Sequence, residues 1–216
     1  TLYFSDFDAN VYAVDAATGK QLWTRSIQDH PAGTITGSLT LYKGHLYVPM
    51  SSTEVLNAYM PDYACCTFRG GIMALDATTG ETVWRFHTVP EAKNTGKNSK
   101  GIDRFGPAGA PVWSNPTIDK KRQLLYLGTG ENYSSPATDN SDAIIALRLD
   151  TGAVEWVQQT IAGDAWNAAC GRYSTQVHCP VEDGPDFDFG APPSLITLAN
   201  GKHMILAGQK SGMIYG

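Results

Sequence analysis

Apolar and polar positions along this chain recur in a block written three times. The first copy is Val11-Tyr-Ala-Val-Asp-Ala-Ala-Thr-Gly-Lys-Gln-Leu-Trp23. The second is Gly71-Ile-Met-Ala-Leu-Asp-Ala-Thr-Thr-Gly-Glu-Thr-Val-Trp84, and the third is Ala143-Ile-Ile-Ala-Leu-Arg-Leu-Asp-Thr-Gly-Ala-Val-Glu-Trp156. Each predicts an apolar strand, a tight turn over Asp-x-x-Thr-Gly, and a shorter strand closing on tryptophan. The flanking runs are β-rich, and the glycine supplies the φ > 0 position that a tight hairpin needs. All-strand self-similarity on this scale predicts the blades of a propeller. The tryptophans are spaced more widely than a four-stranded blade requires, so the excess falls in inter-blade loops. Loops of that length in a compact fold are usually functional.

The chain starts inside a strand pattern (Leu2-Tyr-Phe-Ser-Asp) and stops at Gly212-Met-Ile-Tyr-Gly216, which matches the opening of a fourth repeat. Radial repeats need neighbours on both sides to bury their faces. The expectation is therefore residues 1–216 as one partial propeller domain, about half of a ring, with no haem domain. An isolated half-ring with open sheet edges is expected to aggregate and to be inactive.

Composition adds exclusions. The net charge is −5 and the basic residues are scattered, which argues against nucleic acid as a partner. No apolar run is long enough to span a bilayer. No signal-peptide pattern is visible, although a chain starting within a blade would have lost one. The four cysteines, Cys65, Cys66, Cys170 and Cys179, form neither Cys-x-x-Cys nor Cys-x-x-Cys-His, so neither a zinc ribbon nor covalent c-type haem is encoded. Cys170 and Cys179 flank a polar loop and could close it, and such a bond would point to an oxidising compartment such as a bacterial periplasm. The five histidines, His30, His45, His87, His178 and His203, show no ligand spacing.

The repeat resembles the tryptophan-docking motif Ala-x-Asp-x-x-Thr-Gly-x-x-x-Trp of the pyrroloquinoline quinone (PQQ)-dependent alcohol dehydrogenases, whose intact propellers are eight-bladed. Copies one and two match in full, whereas the third carries Arg148 in place of the Asp. Trp23, Trp84 and Trp156 are read as structural docking residues. The resemblance extends through nearly the whole chain. Cys65-Cys-Thr-Phe-Arg-Gly70, Gly128-Thr-Gly-Glu-Asn-Tyr-Ser134 and Gly184-Pro-Asp-Phe-Asp-Phe-Gly190 look most like the branch that oxidises polyvinyl alcohol.

The resemblance implies the following site. Asp188 matches the catalytic base, with Phe187 where the family has tryptophan; Asp186 would point to the same side if the stretch is extended. Glu54 matches a Ca²⁺ ligand. Glu131 matches the second ligand position, with Asn132 one step on, and only one of these neighbours should face the ion. Trp113 matches the floor beneath the quinone ring, and Lys210 the cation beside its oxygens. Thr36 and Ser51 match hydroxyls that bind the PQQ carboxylates, with Arg69 as a helper. Cys65 and Cys66 match a vicinal disulfide covering the ring. Each also has a bland reading: a solvated turn acid, an exposed strand-end Glu, core packing for the indole, a hairpin lysine, two small buried thiols.

The implied function is PQQ- and Ca²⁺-dependent oxidation of an alcohol, with polyvinyl alcohol or another secondary alcohol as the expected substrate. Electrons would pass to cytochrome c, or to haem c on a missing domain or partner, in a periplasmic or secreted bacterial protein. Two alternatives stand beside it. One is a non-enzymatic propeller scaffold of the outer-membrane assembly type, because a fold does not fix a function. The other is a quinoprotein for small primary alcohols or sugars.

Overall fold

The computed structural model describes every residue of 1–216 except 173 and 175. Among the described residues, four blade-like antiparallel sheets follow one another along the chain, with two small two-stranded sheets, Lys93–Lys97 with Asp103–Gly106 and Ala108–Gly109 with Asn132–Ser134, in the loops. The first contains Leu2–Ser5, Asn10–Val14 and Gln21–Ser26. The second contains Gly33–Thr34, Thr40–Tyr42, His45–Ser52, Gly71–Asp76 and Thr82–His87. The third contains Thr117–Asp119, Leu124–Gly128, Ala143–Arg148 and Val154–Gln159, and the fourth Ser194–Thr197, His203–Gly208 and Ile214–Tyr215. Sequential antiparallel pairing within each sheet gives successive blades of a partial propeller.

The central strands are buried on both faces, which explains their near-continuous apolar runs. In the second sheet Leu46, Val48, Met50, Met73 and Leu75 pack toward the first sheet with Val11 and Ile27. Their alternates Tyr47, Ile72 and Ala74 pack the other way, against Leu125, Leu127, Ile145 and Leu147 of the third sheet. The period of two along each strand divides every blade between two interfaces. Burial of a large aliphatic side chain contributes about 1.5–3 kcal/mol, so these interfaces are the main source of stability.

The repeated turns form as the pattern requires. Asp15 Oδ1 accepts the N–H groups of Ala17 and Thr18 at 3.0 and 2.8 Å, and Asp76 Oδ1 those of Thr78 and Thr79, both at 2.8 Å. These bonds hold both carboxyls below their usual range, the largest cause being the Thr18 hydroxyl for Asp15 and the Thr79 N–H for Asp76. The third turn lacks that acceptor but keeps its backbone bonds, Gly152 N–H to Arg148 O at 2.9 Å and Arg148 N–H to Ala153 O at 2.8 Å.

The first two repeat tryptophans dock on the next repeat's turn, whereas Trp156 is partly exposed and packs beside Tyr126. Trp23 Nε1 donates to Ala77 O and Trp84 Nε1 to Leu149 O, both at 3.1 Å. The rings lie on Gly80 and Gly152, where a Cβ would meet the indole at 2.7 and 2.5 Å. The same glycines have φ of +74° and +69°, so the turn conformation and the docking surface make one demand.

Pro49 shapes the upper end of the second blade. It lies in His45–Ser52, whose outer edge pairs first with Thr40–Tyr42 and then with Gly33–Thr34. Proline offers no N–H to that edge, so it falls where the pairing is interrupted. The freed segment between the two short strands carries Thr36.

Candidate active site

One open cleft of about 200 Å³ gathers side chains from all of the last three blades. Thr36 and Ser51 come from the second blade, Trp113 from the loop entering the third, and Glu131 from a loop between two strands of the third. Asp186 and Asp188 precede the fourth blade, and Lys210 sits in its hairpin turn. Trp113 is seated by its neighbour, since the Val112 N–H donates to Met50 O at 3.0 Å. Thr36 Oγ1 donates to Trp113 O at 3.2 Å, so the freed segment beside Pro49 closes onto the indole-bearing loop.

The Gly128-Thr-Gly-Glu motif has a packing reason. A Cβ at Gly128 would meet Phe189 Cβ at 2.5 Å, and one at Gly130 would meet Asp188 Oδ1 at 2.7 Å. The Asp188 segment therefore lies directly on the end of a strand of the third blade. The Phe189 N–H donates to Thr129 O at 3.1 Å, and Phe189 is buried with Ile144 and Ala207.

Carboxylates crowd this cleft. Ligand oxygens of Glu131, Asp186 and Asp188 lie within 4.8 Å of one another. Asp188 Oδ1 accepts the Glu131 N–H at 2.9 Å, and Asp188 Oδ2 is 2.8 Å from Lys210 Nζ. Lys210 Nζ also donates to Asp186 Oδ1 at 2.6 Å and lies 5.6 Å from the Trp113 ring centre. Burial opposes the Lys210 charge, but hydrogen bonds to Asp186 and Asp188 outweigh it and push its pKa up. Burial, reinforced by the Asp188 and Asp186 charges, pushes Glu131 well above the usual carboxylate range. Burial raises Asp186 too, against the Lys210 hydrogen bond.

Two tests bear on what this site can hold. Three carboxyl groups crowd one ammonium here, and an all-oxygen donor set of that kind suits a hard cation such as Ca²⁺, whose charge would favour their ionised forms. The half-buried indole of Trp113 presents an aromatic surface beside a cation and two hydroxyl-bearing residues, and its own buried Nε1 has no partner. That combination suits a flat, anionic ring system. The residues fit both groups.

Trp113, Asp188, Lys210, Glu131, Thr36 and Ser51 thus meet in one place. Five other expected site residues do not line it. Asn132 faces away: its Nδ2 donates to Ala108 O at 3.0 Å and its Oδ1 accepts the Thr138 N–H at 2.6 Å. Between the two neighbours, only Glu131 enters the cleft, as alternation along a strand requires.

Glu54 is fully buried in a short helix, Glu54–Asn57, rather than in an open loop. Its carboxylate accepts Thr67 N–H at 2.9 Å, Phe68 N–H at 2.7 Å and Tyr63 O–H at 3.0 Å, with His30 Nε2 at 3.3 Å. These contacts engage both carboxylate oxygens and tie the helix to the loop of Thr67 and Phe68, next to the vicinal cysteines.

Cys65 and Cys66 are disulfide-bonded but buried with Ala58, Phe68, Ala108 and Tyr133, outside the cleft lining. Arg69 lines a separate cavity of about 490 Å³ with Asp29, His30, Thr67, Arg85 and His87, and its Nε donates to Val89 O at 3.0 Å. Cys170 and Cys179 are bonded to each other. Among the described residues no helix is long and apolar enough to cross a membrane.

The structure adds residues that the sequence did not single out for the site. Trp166 lines the cleft, as does Asp186, whose only sequence signal was its spacing from Asp188. Asp186 reaches it through a left-handed backbone, φ +57°, rather than through a regular strand.

The PQQ family profile, described as the glucose/ethanol/alcohol dehydrogenase β-propeller domain, matches residues 50–215. The chain belongs to this family. It is 44% identical over 216 residues to a polyvinylalcohol dehydrogenase of Sphingopyxis sp. (strain 113P3), covering 99% of this chain and 33% of that protein. It is 40% identical to a polyvinylalcohol dehydrogenase of Pseudomonas sp., again over 99% of this chain and 33% of the relative. The solved quinohemoprotein alcohol dehydrogenase of Comamonas testosteroni superposes with a TM-score of 0.67 at 28% identity, over 99% of this chain and 31% of that one. The chain therefore spans about a third of the length of the curated relatives it matches. Its partial propeller is the family fold.

Proposed function

We propose that the protein to which this chain contributes oxidises an alcohol with PQQ and a bound Ca²⁺, with polyvinyl alcohol or a similar secondary alcohol as substrate. The observation that carries the reading is Asp188, 4% exposed, held by the Glu131 N–H and Lys210 on the rim of a cleft floored by Trp113. The names of the two similar proteins above support the substrate class.

When bound, PQQ supplies the two-electron oxidant and the cation a Lewis acid. Glu131, Asp186 and Asp188 would hold the cation, and Trp113 would stack against the ring. The gain from an aromatic contact of this kind is about 0.5–1.5 kcal/mol beyond the area buried. Ser51 would donate its hydroxyl hydrogen to a ring carboxylate, and Thr36 would do so by turning its hydroxyl away from Trp113 O. Asp188 removes the proton of the substrate hydroxyl, as a buried carboxylate fixed by two donors can do. Lys210 presents a positive charge where negative charge grows on the oxidant, and its two carboxylate partners keep it from swinging into solvent.

Electron transfer to cytochrome c, or to haem c elsewhere in the protein, and a periplasmic or secreted location complete the proposal. The two disulfides support an oxidising compartment.

The test is dye reduction by the full-length protein reconstituted with PQQ and Ca²⁺, offered polyvinyl alcohol, ethanol and glucose. Turnover with polyvinyl alcohol supports the reading as stated. Turnover only with ethanol or glucose moves it to the small-alcohol or sugar branch, and no turnover with any of them favours a scaffold.

A further inference from the structure

Beneath the cleft lies a second pair of acids that takes no part in the chemistry proposed above. Asp142 and Asp164 are both fully buried and lie beside each other, and neither carboxyl oxygen of Asp142 has a hydrogen-bond donor. We infer that Asp164 is the positioning residue for the Asp186–Asp188 segment, with Asp142 as the donor that fixes it; this rests on the alcohol-oxidising reading of the cleft.

Asp164 is joined to both halves of the site. Its Oδ2 accepts the Phe187 N–H at 3.0 Å and its Oδ1 the Asp186 N–H at 3.3 Å, the two amides leading into Asp188. Its main-chain carbonyl accepts the Asn132 N–H at 3.2 Å, and the Trp166 N–H returns to Asn132 O at 2.8 Å. One residue thus sets the distance between the strand end that bears Glu131 and the segment that bears Asp186 and Asp188.

Asp142 holds Asp164 from behind. Its backbone is tied beside Glu131, with its N–H donating to Gly130 O at 3.2 Å and its carbonyl accepting Thr160 N–H at 3.0 Å and Thr160 Oγ1 at 2.8 Å. Its buried carboxyl oxygens accept no N–H or O–H group, so a proton shared with Asp164 is what would satisfy them. Two carboxyls facing each other in a buried site cannot both be charged at low cost, so one must donate a proton to the other. Asp164 already accepts two N–H groups, which makes it the acceptor and Asp142 the donor. A carboxylate has roughly four lone-pair sites, enough for all three bonds. The pKa of Asp142, pushed up to about 9 by burial and then by the Asp164 charge, agrees with that assignment.

The substitutions follow from donors and acceptors. Asp164→Asn turns an NH₂ group toward a backbone N–H, setting donor against donor. Asp142→Asn still offers a donor to Asp164, whereas Asp142→Ala offers none.

The experiment pairs kinetics of the full-length protein reconstituted with PQQ and Ca²⁺ with amide hydrogen exchange of residues 184–190. Asp164→Asn is expected to lower kcat about 10- to 100-fold with KM near wild type, and to speed exchange in that segment. Asp142→Ala should move both in the same direction, and Asp142→Asn should recover most of what alanine loses. Wild-type exchange protection together with wild-type kcat in Asp164→Asn would overturn the inference, as would Asp142→Asn behaving like Asp142→Ala. If the wild type turns over no alcohol, the reading of the cleft fails by itself. Exchange in Asp164→Asn then decides the positioning role: faster exchange supports it and unchanged exchange refutes it.

Discussion

Asp188 Oδ1 accepts the backbone N–H of Glu131 at 2.9 Å, although the two residues stand 57 apart in the chain. The contact exists because Gly130 has no side chain to keep the Asp188 segment off the strand end. It makes the proposed base and one proposed cation ligand parts of a single constellation rather than features of separate loops.

Asp188→Asn tests that constellation directly. Asparagine keeps the shape and can still accept the Glu131 N–H through its amide oxygen, but it cannot take a proton from an alcohol. PQQ-dependent dye reduction by the full-length protein should fall about 100- to 10,000-fold, while the folded state survives. Circular dichroism and steady-state kinetics on the same preparation separate the two effects.

Asp142 should make stability depend on pH. Burial pushes the Asp142 pKa in the folded chain up to about 9, whereas the unfolded chain releases this proton near 3.8, the ordinary value for an aspartate. Within that window the folded state binds more protons, so this group's contribution is full below the unfolded value and is lost as pH rises through the folded one. The slope for a single proton is about 1.4 kcal/mol per pH unit at most. Asp142→Asn should flatten it, as urea denaturation at a series of pH values would reveal.

Gly152 and Gly19 share a positive φ, +69° and +72°, yet only Gly152 has an indole against it. Gly19→Ala pays the backbone strain alone, about 1–2 kcal/mol. Gly152→Ala adds a clash with Trp84, and overpacking of this kind costs a further 1–3 kcal/mol or about that. Denaturant midpoints of the two variants should therefore differ in that order, with the Trp84 fluorescence environment changed only in the second.

Arg148→Asp should repair the third turn. Asp15 and Asp76 each accept two backbone N–H groups that the third repeat leaves without a side-chain acceptor at this position. The change gives up an exposed ion pair between Arg148 and Glu155 at 3.0 Å, a kind of contact worth about 0–1 kcal/mol. A net gain of about 0.5–1 kcal/mol is expected from the new hydrogen bonds, read as a higher urea midpoint.

Much of the architecture was legible in the residues. The Asp-x-x-Thr-Gly turns, the docking tryptophans and the doubly buried strands are local or period-two features, and such patterns survive in a linear text. Trp113, Asp188 and Lys210 were legible through family resemblance, and they do share one cleft. Glu54, Cys65, Cys66 and Arg69 matched equally well as text but do not line that cleft, and Glu54 is engaged by the Thr67 and Phe68 amides, the Tyr63 hydroxyl and His30. No local pattern announces such a network: its donors come from a loop and from His30, and only folding brings them to one carboxylate.

The sequence by itself determined that the chain would build stacked antiparallel blades, since each repeat carries its own strand period, turn glycine and docking ring. Tertiary structure decided which acids face the cleft, that Glu131 enters while Asn132 turns away, and that Asp164 spans the gap to Asp186. Those outcomes depend on close approach between segments distant in the chain, and such approach is set by how blades pack on one another.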